Sequence, residues 1–429
     1  MKILHLSTYD ISGGAARAAY RLHEGLQQRG VRSQMLVQER SSDDRQVIAP
    51  QSSLMQGIAR SRNTLDIVPL KLLHRWQRSA PFSVQWLPEQ VTANVAKLQP
   101  DLVNLHWIGG GFVQIETLAK LRSPLVWSLH DMWTFTGGCH YSGECDRYTQ
   151  SCGACPLLPQ QNAQDLTRWI WQRKAKAWKN TNLTLVALSH WLADCARKSS
   201  LLQNHRIELI PNGLDTETYR PIAKSFAREL LKLPADKQLI LFSSIKATSE
   251  KRKGFHLLQP ALQSLAQAGW QDQLELVVLG ADAPEHPPDM GFKTHYLGTL
   301  KDDLSLAMAY SAVDVAVLPS SEDNLPNVVM EALACGTPAV GFEIGGLPDL
   351  IEHQRNGYLA KPFQIADLAQ GIAWVLESSR HANLCQRARE KTEQEFTLAL
   401  QAKRYEQLYG DLLIDHDRLM NPVAKEIFA

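Results

Sequence analysis

At 429 residues, with 44% hydrophobic and 21% charged residues, the chain has the composition of a soluble globular protein and the length of two domains. A net charge of +1 leaves no global field to attract nucleic acid or anionic lipid, and no apolar run is long enough to span a bilayer. Seven cysteines in a chain of this length do not make a disulfide scaffold.

The first residues, Met1-Lys2-Ile3-Leu4-His5-Leu6-Ser7, are too short and polar for a secretory signal and read as a first strand, which points to the cytoplasm. From there apolar runs alternate with helical patterns, as in a doubly wound α/β protein with parallel strands. The first half carries expected strands at 3–7, 33–37, 102–105, 125–129, 183–187 and 207–210. The second half carries them at 239–243, 274–279, 294–297, 313–318 and 338–342. Between the two sets, Pro211-Asn212-Gly213-Leu214-Asp215 and a polar, Pro-punctuated stretch to Pro234 mark a hinge, giving domains 1–213 and 214–397. One segment stands apart: from Leu54 to Arg78, Leu65, Leu70, Leu72 and Trp76 alternate with Arg60, Arg62, Lys71 and Arg75. It is expected as a pair of core-packing helices with a basic outer face, the other reading being a docking surface for a membrane or a lipid-linked acceptor.

Five places carry chemistry. First, Gly13-Gly14 follows the first strand and opens a helix, which lets backbone approach a ligand and favours an anion. The third glycine of a dinucleotide fingerprint is absent. Second, His130-Asp131 ends the strand at 125–129, the edge where α/β proteins place ligand-facing groups. Third, the loop 137–158 holds Cys139, Cys145, Cys152 and Cys155 within seventeen residues. It is too polar to build a core, so a structural zinc is expected there, with disulfides as the alternative; four thiolates leave no open position for catalysis. Fourth, after the strand at 239–243 come Lys246, Lys251, Arg252, Lys253 and Gly254 at the start of a helix, a good diphosphate site. Gly280, after the strand at 274–279, can approach a base or ribose. Fifth, Glu322-Asp323-Asn324-Leu325 follows a buried strand, with Glu331 expected about two turns inside the next helix. Gly345-Gly346 opens another helix at the same sheet edge.

Taken in order, these motifs resemble the retaining GT-B glycosyltransferases of family 4 across nearly the whole chain. Gly13-Gly14 resembles the family's N-terminal glycine loop, His130-Asp131 its strand-end His, and Ile210-Pro211-Asn212-Gly213-Leu214-Asp215 its interdomain segment. Lys253-Gly254 resembles the diphosphate-binding pair. Asp323 through Glu331 resembles the acidic motif with seven residues between its acids. Two departures stand out: the first acid is Asp323 rather than Glu, with Asn324 in place of Gly, and Lys246 stands near the family's Gly-Arg. The cysteine loop resembles that of a subset of exopolysaccharide- or colanic-acid-type transferases.

The resemblance implies two Rossmann-like domains facing a cleft, with 398–429 a helical segment crossing back to the first. It implies transfer from a UDP- or GDP-sugar to a saccharide or lipid-linked acceptor in cell-surface polysaccharide or glycan biosynthesis, with retention and without a catalytic metal. His130, Asp323 and Lys253 would be catalytic. Gly13, Gly14, Lys246, Arg252, Lys253, Gly280, Asn324, Leu325 and Glu331 would hold the donor. Nucleic acid is not an expected partner; contact with the inner face of a membrane is. The departures keep two alternatives open, a non-catalytic nucleotide-sugar-binding protein and a GT-B nucleotide-sugar epimerase.

Overall fold

The computed structural model describes residues 1–72, 81–159, 162–243 and 250–420. The chain divides into two compact units. The first runs from Met1 to Gly213 and takes in the helix Leu398–Met420; the second is Leu214–Thr397.

The first unit is built on a seven-stranded parallel sheet. Its strands are β1 (Lys2–Tyr9), β2 (Arg32–Glu39), β3 (Val47–Ile48), β4 (Leu102–Leu105), β5 (Leu125–Leu129), β6 (Leu183–Ala187) and β7 (Arg206–Leu209). They lie in the order β3-β2-β1-β4-β5-β6-β7, so the winding reverses between β1 and β4. Both faces are covered, which is why the central strands read as continuous Leu/Val runs. Leu4, Leu6, Val103, Leu105, Leu125, Trp127 and Leu129 pack on one face. On the other, Ile3, Leu102 and Val126 meet Leu22 and Leu26 of the helix Gly14–Gln28 and Tyr405 and Tyr409 of the helix Leu398–Met420. The two tyrosines are also pinned by polar contacts: Asn104 donates to the Tyr409 hydroxyl at 2.8 Å, and Ser128 meets the Tyr405 hydroxyl at 2.7 Å.

The second unit has six parallel strands. They are β8 (Gln238–Ser243), β9 (Leu274–Leu279), β10 (Thr294–Tyr296), β11 (Val315–Leu318), β12 (Ala339–Phe342) and β13 (Gly357–Ala360), in the order β10-β9-β8-β11-β12-β13. Here the winding reverses between β8 and β11. In open α/β sheets such a reversal leaves a crevice outside the carboxyl ends of the strands, where ligands bind. Its core gathers Ile240, Phe242, Val315, Val317, Val340 and Phe342 against Leu258, Leu262 and Ile372 from the flanking helices.

Two expectations need correction. The segment beginning at Leu54 reaches the core only near its end, where Leu70 is fully buried and Ile67 packs beside it. In the helix Ser53–Asp66 only Ala59 and Asp66 are buried, while Leu54 (75% exposed), Ile58 and Leu65 share one outward face and Leu72 (74%) follows them. Residues 73–80, which include Arg75, Trp76 and Arg78, lie outside the described residues. The second correction concerns Glu331. Its helix is Asn327–Ala334, started late by Pro326, so Glu331 sits just over one turn from the N-terminus.

Candidate functional site

The second unit brings Glu250, Arg252, Lys253 and Asp323 together at the β8/β11 reversal. After β11, Pro319 leads into a loop, and Asp323 is buried in it. After β8 the described chain resumes at Glu250 with a short helical turn, Lys251–Lys253, and Gly254 with φ of 75°. Gly254 lies so close to the loop that a Cβ there would stand 1.8 Å from the Pro319 carbonyl oxygen. Only glycine permits both the left-handed backbone and this approach.

That contact puts Lys253 Nζ 2.9 Å and Arg252 Nη1 3.4 Å from Asp323 Oδ2. Arg252 also donates to Glu250 Oε1 at 2.7 Å and to the Glu322 carbonyl at 2.8 Å. Burial pushes the Asp323 pKa up, but the charges of Lys253 and Arg252, with hydrogen bonds from Lys253 and the Asn324 amide, hold it below the usual carboxylate range. Asp323 is thus a dry, ionised carboxylate.

Its backbone is fixed from behind. At Gly345 a Cβ would meet the Asp323 carbonyl oxygen at 2.0 Å, and the Gly346 amide donates to that same oxygen at 3.1 Å. The glycine pair seen in the sequence therefore serves as a bed for the acidic loop.

Asn324 and Leu325 are buried beside Asp323, and Glu331 is buried in the following helix. One Glu331 oxygen accepts from the Tyr310 hydroxyl at 2.9 Å. Burial, and then Glu331 itself, keep that tyrosine protonated by raising its pKa far above normal. Gly280 has φ of 94°, and its amide bonds the Gly298 carbonyl at 2.8 Å. Lys246 lies outside the described residues. Sequence reasoning missed Tyr310, Glu250 and the bedding role of Gly345, since no local pattern ties them to Asp323 or Glu331.

In the first unit, Gly13 caps the helix Gly14–Gln28 with φ of 98° and ψ of 164°, a conformation only glycine adopts freely, and nothing lies within 4 Å of where its Cβ would be. The helix N-terminus carries no side-chain cap, and Gly13 and Gly14 are exposed.

His130 follows β5. Burial drops its pKa to about 4, so the ring is neutral at physiological pH. Its neighbour Asp131 accepts from His140 Nδ1 at 2.6 Å and from the Trp133 amide at 2.8 Å. Burial opposes ionisation of Asp131, and His140 more than compensates.

None of the seven cysteines is joined in a disulfide. Burial, then mutual repulsion with Cys155, Cys152 and Cys145, raises the Cys139 pKa, while burial alone is the leading cause that takes Cys152 and Cys155 to about 11. Among the described residues, no group of three or more His, Cys, Asp or Glu side chains is placed to hold a metal ion. Cys139, on the loop where a structural zinc is expected, lies near enough to Cys145, Cys152 and Cys155 to interact electrostatically with each. Protein groups also order the loop. Asp165 accepts from the Cys155 amide at 2.8 Å, and the Gly137 amide reaches Cys152 Sγ at 3.1 Å. Lys174, fully buried, donates to the carbonyls of Trp133 and Thr136 and lies 3.5 Å from the Trp133 ring centre.

The architecture of these two units is the GT-B fold. Sucrose-phosphate synthase from Thermosynechococcus elongatus superposes on 96% of this chain and 99% of its own, with a TM-score of 0.69 at 21% identity. HepE from Anabaena, in complex with UDP and glucose, does so over 96% and 99% with a TM-score of 0.61 at 20% identity. Residues 12–218 match the family described as Glycosyltransferase Family 4 and residues 237–378 the one described as Glycosyl transferases group 1, so the chain carries the paired domains of that glycosyltransferase group.

Among curated proteins, it is 26% identical over 243 residues to N-acetyl-alpha-D-glucosaminyl L-malate synthase of Bacillus anthracis, covering 54% of this chain and 60% of that protein. It is 32% identical over 203 residues to D-inositol 3-phosphate glycosyltransferase of Xylanimonas cellulosilytica, covering 43% and 46%. The chain spans about half the length of the curated relatives it matches.

Proposed function

We propose that this protein is a retaining, metal-independent glycosyltransferase that moves a hexosyl group from a nucleoside-diphosphate sugar to a saccharide or lipid-linked acceptor. The observation that carries the reading is the cluster of Lys253, Arg252 and Asp323 at the β8/β11 reversal.

Two cations beside a helix start suit a diphosphate, which would draw Lys253 and Arg252 from Asp323 toward its own oxygens. The diphosphate is also the leaving group, so cations that hold its growing charge lower the barrier. These side chains can supply the charge that a divalent metal supplies elsewhere. Asp323, released toward the sugar, would accept from its hydroxyls. Glu331 would accept from the ribose, with Tyr310 fixing one of its oxygens. Asn324, Leu325 and Gly280 would line the nucleotide and sugar. Gly13, Gly14 and neutral His130 would serve the donor sugar and acceptor, and same-face attack would give retention.

The solved HepE complexes with UDP and UDP-glucose support a nucleotide-sugar donor, and a uridine carrier is the first to test. A polysaccharide or glycan role rests on the sequence resemblance and on the likeness to WaaG, a glycosyltransferase involved in lipopolysaccharide biosynthesis. The exposed Leu54, Ile58 and Leu65 beside Arg60 support peripheral contact at the cytoplasmic face of a membrane. No helix among the described residues is long and apolar enough to cross one.

The test is thermal stabilisation by UDP, GDP and their sugars, followed by a nucleotide-release assay, each with and without EDTA. A selective shift that survives EDTA and vanishes in Glu331→Ala is expected. Indifference to every nucleotide would overturn the donor site, and activity lost in EDTA would overturn metal independence.

A further inference from the structure

Three histidines form a line across the β1/β4 reversal. His5 lies within β1, His106 is the residue after β4, and His130 the residue after β5. His5 pairs in register with Asn104, and Leu105 with Trp127. Each histidine therefore sits on the same sheet face as the last, one strand over and two residues nearer the carboxyl edge. That diagonal is the distance an imidazole pair bridges. His5 Nδ1 meets His106 Nε2 at 2.9 Å, and His106 Nδ1 meets His130 Nε2 at 3.1 Å. Ring centres are 5.2 and 5.3 Å apart.

Burial pushes the pKa of His5 and His106 well below 6.5; repulsion from His23 adds to it at His5, and from His5, His130 and His23 at His106. Each ring is then neutral, with one N–H and one lone pair. A chain of such rings must run one way. Either His130 donates inward and the row ends on a buried N–H at His5 Nε2, or His5 donates outward and the row ends there on a lone pair. His5 Nε2 is buried and has no hydrogen-bond partner among the described residues. An orphaned buried N–H is the rarer of the two endings.

We propose that His5 and His106 are positioning residues that fix the tautomer of His130, so that the imidazole at the carboxyl edge of the sheet carries its proton on Nδ1. His5 Nδ1–H donates to His106, His106 Nδ1–H donates to His130, and His130 Nε2 is committed as an acceptor. The strand-end ring then offers a neutral N–H, suited to a sugar oxygen and unsuited to accepting a proton from a hydroxyl. The catalytic consequence rests on His130 facing substrate, as read above; the tautomer does not.

Histidine-labelled protein at pH 7.5, observed by two-bond proton–nitrogen correlation, reads the tautomer directly, with His130→Gln assigning its signal. The expected spectrum has protonated Nδ1 and bare Nε2 on His130. His106→Leu should scramble that pattern and lower kcat about tenfold, the scale of one hydrogen bond, with the donor KM little changed. His106→Asn, whose amide nitrogen can stand where Nδ1 stood, should keep both. A wild-type His130 protonated on Nε2, or a pattern unmoved by His106→Leu, overturns the proposal. If His106→Leu does not fold, His5→Leu, one link further away, takes its place. A protein with the expected tautomers and no transfer activity leaves this inference standing and removes the functional reading instead.

Discussion

After β11, Asp323 is dry and ionised, because two cations from the neighbouring loop face it. After β5, His130 is dry and uncharged, because burial disfavours the imidazolium more than Asp131 favours it. The two strand ends keep polar groups out of water by opposite means. Paired charges can be exchanged for another anion without leaving a cation bare, which suits a site that must take up and release a diphosphate. A neutral relay has nothing to exchange; it holds one orientation and one protonation state throughout turnover. The second unit is thus built for substitution and the first for constancy.

The largest effect that would break this contrast is Lys253→Ala. It removes a cation from the proposed leaving group and from Asp323 at once, and should cost about 10²- to 10³-fold in kcat/KM for donor. A loss under threefold in the nucleotide-release assay would mean the exchange does not occur at this residue.

Next comes Gly254→Ala. It forces a Cβ onto the Pro319 carbonyl, and should destabilise by about 3 kcal/mol in denaturant unfolding while weakening nucleotide binding. Wild-type stability there would show that the loop has another way to seat.

Lys174→Met probes the first unit, where burial lowers the lysine pKa to about 7 from its ordinary 10.5. The unfolded chain keeps that proton up to the higher value, so it binds more protons across the window. Wild-type stability should therefore gain on the variant as pH rises from 7 to 9, by on the order of 2 kcal/mol. A difference that is flat with pH would show that the folded ammonium stays charged.

The smallest effect is Gly13→Ala. Open space surrounds it, so only backbone strain opposes the change, about 1–2 kcal/mol. If it proves as damaging as Gly254→Ala, the N-terminal loop is tighter than its surroundings imply.

Much of the frame was legible in the sequence. β4, β5, β6 and β9 coincide with their expected ranges because each is an unbroken apolar run between turn residues, and the doubly wound fold class follows from them. β3 is two residues long and β13 opens on a glycine, so neither gave a periodic signal. The helix Ser53–Asp66 was misread because its leucine spacing is that of a core helix whether or not a core faces it. At the site, Lys253, Arg252 and Asp323 could be named from their places after strands, but not their pairing with one another. The histidine row was overlooked for a different reason. Its signal was present, one His in or just beyond each of three adjacent apolar strands, yet only His130 stood beside another chemical group in the sequence.

The helix Leu398–Met420 closes the first unit, and Leu214–Thr397 stands between it and the rest. On the ribosome this order sets a delay. At about 5–20 residues per second, the 184 residues of the second unit take roughly 10–40 s to emerge before Tyr405 and Tyr409 are available. Through that interval the faces of Leu22, Leu26 and Val126 wait uncovered. Expression of this protein should therefore be sensitive to chaperone supply during synthesis, and a chain cut at Thr397 should aggregate rather than yield a working first unit.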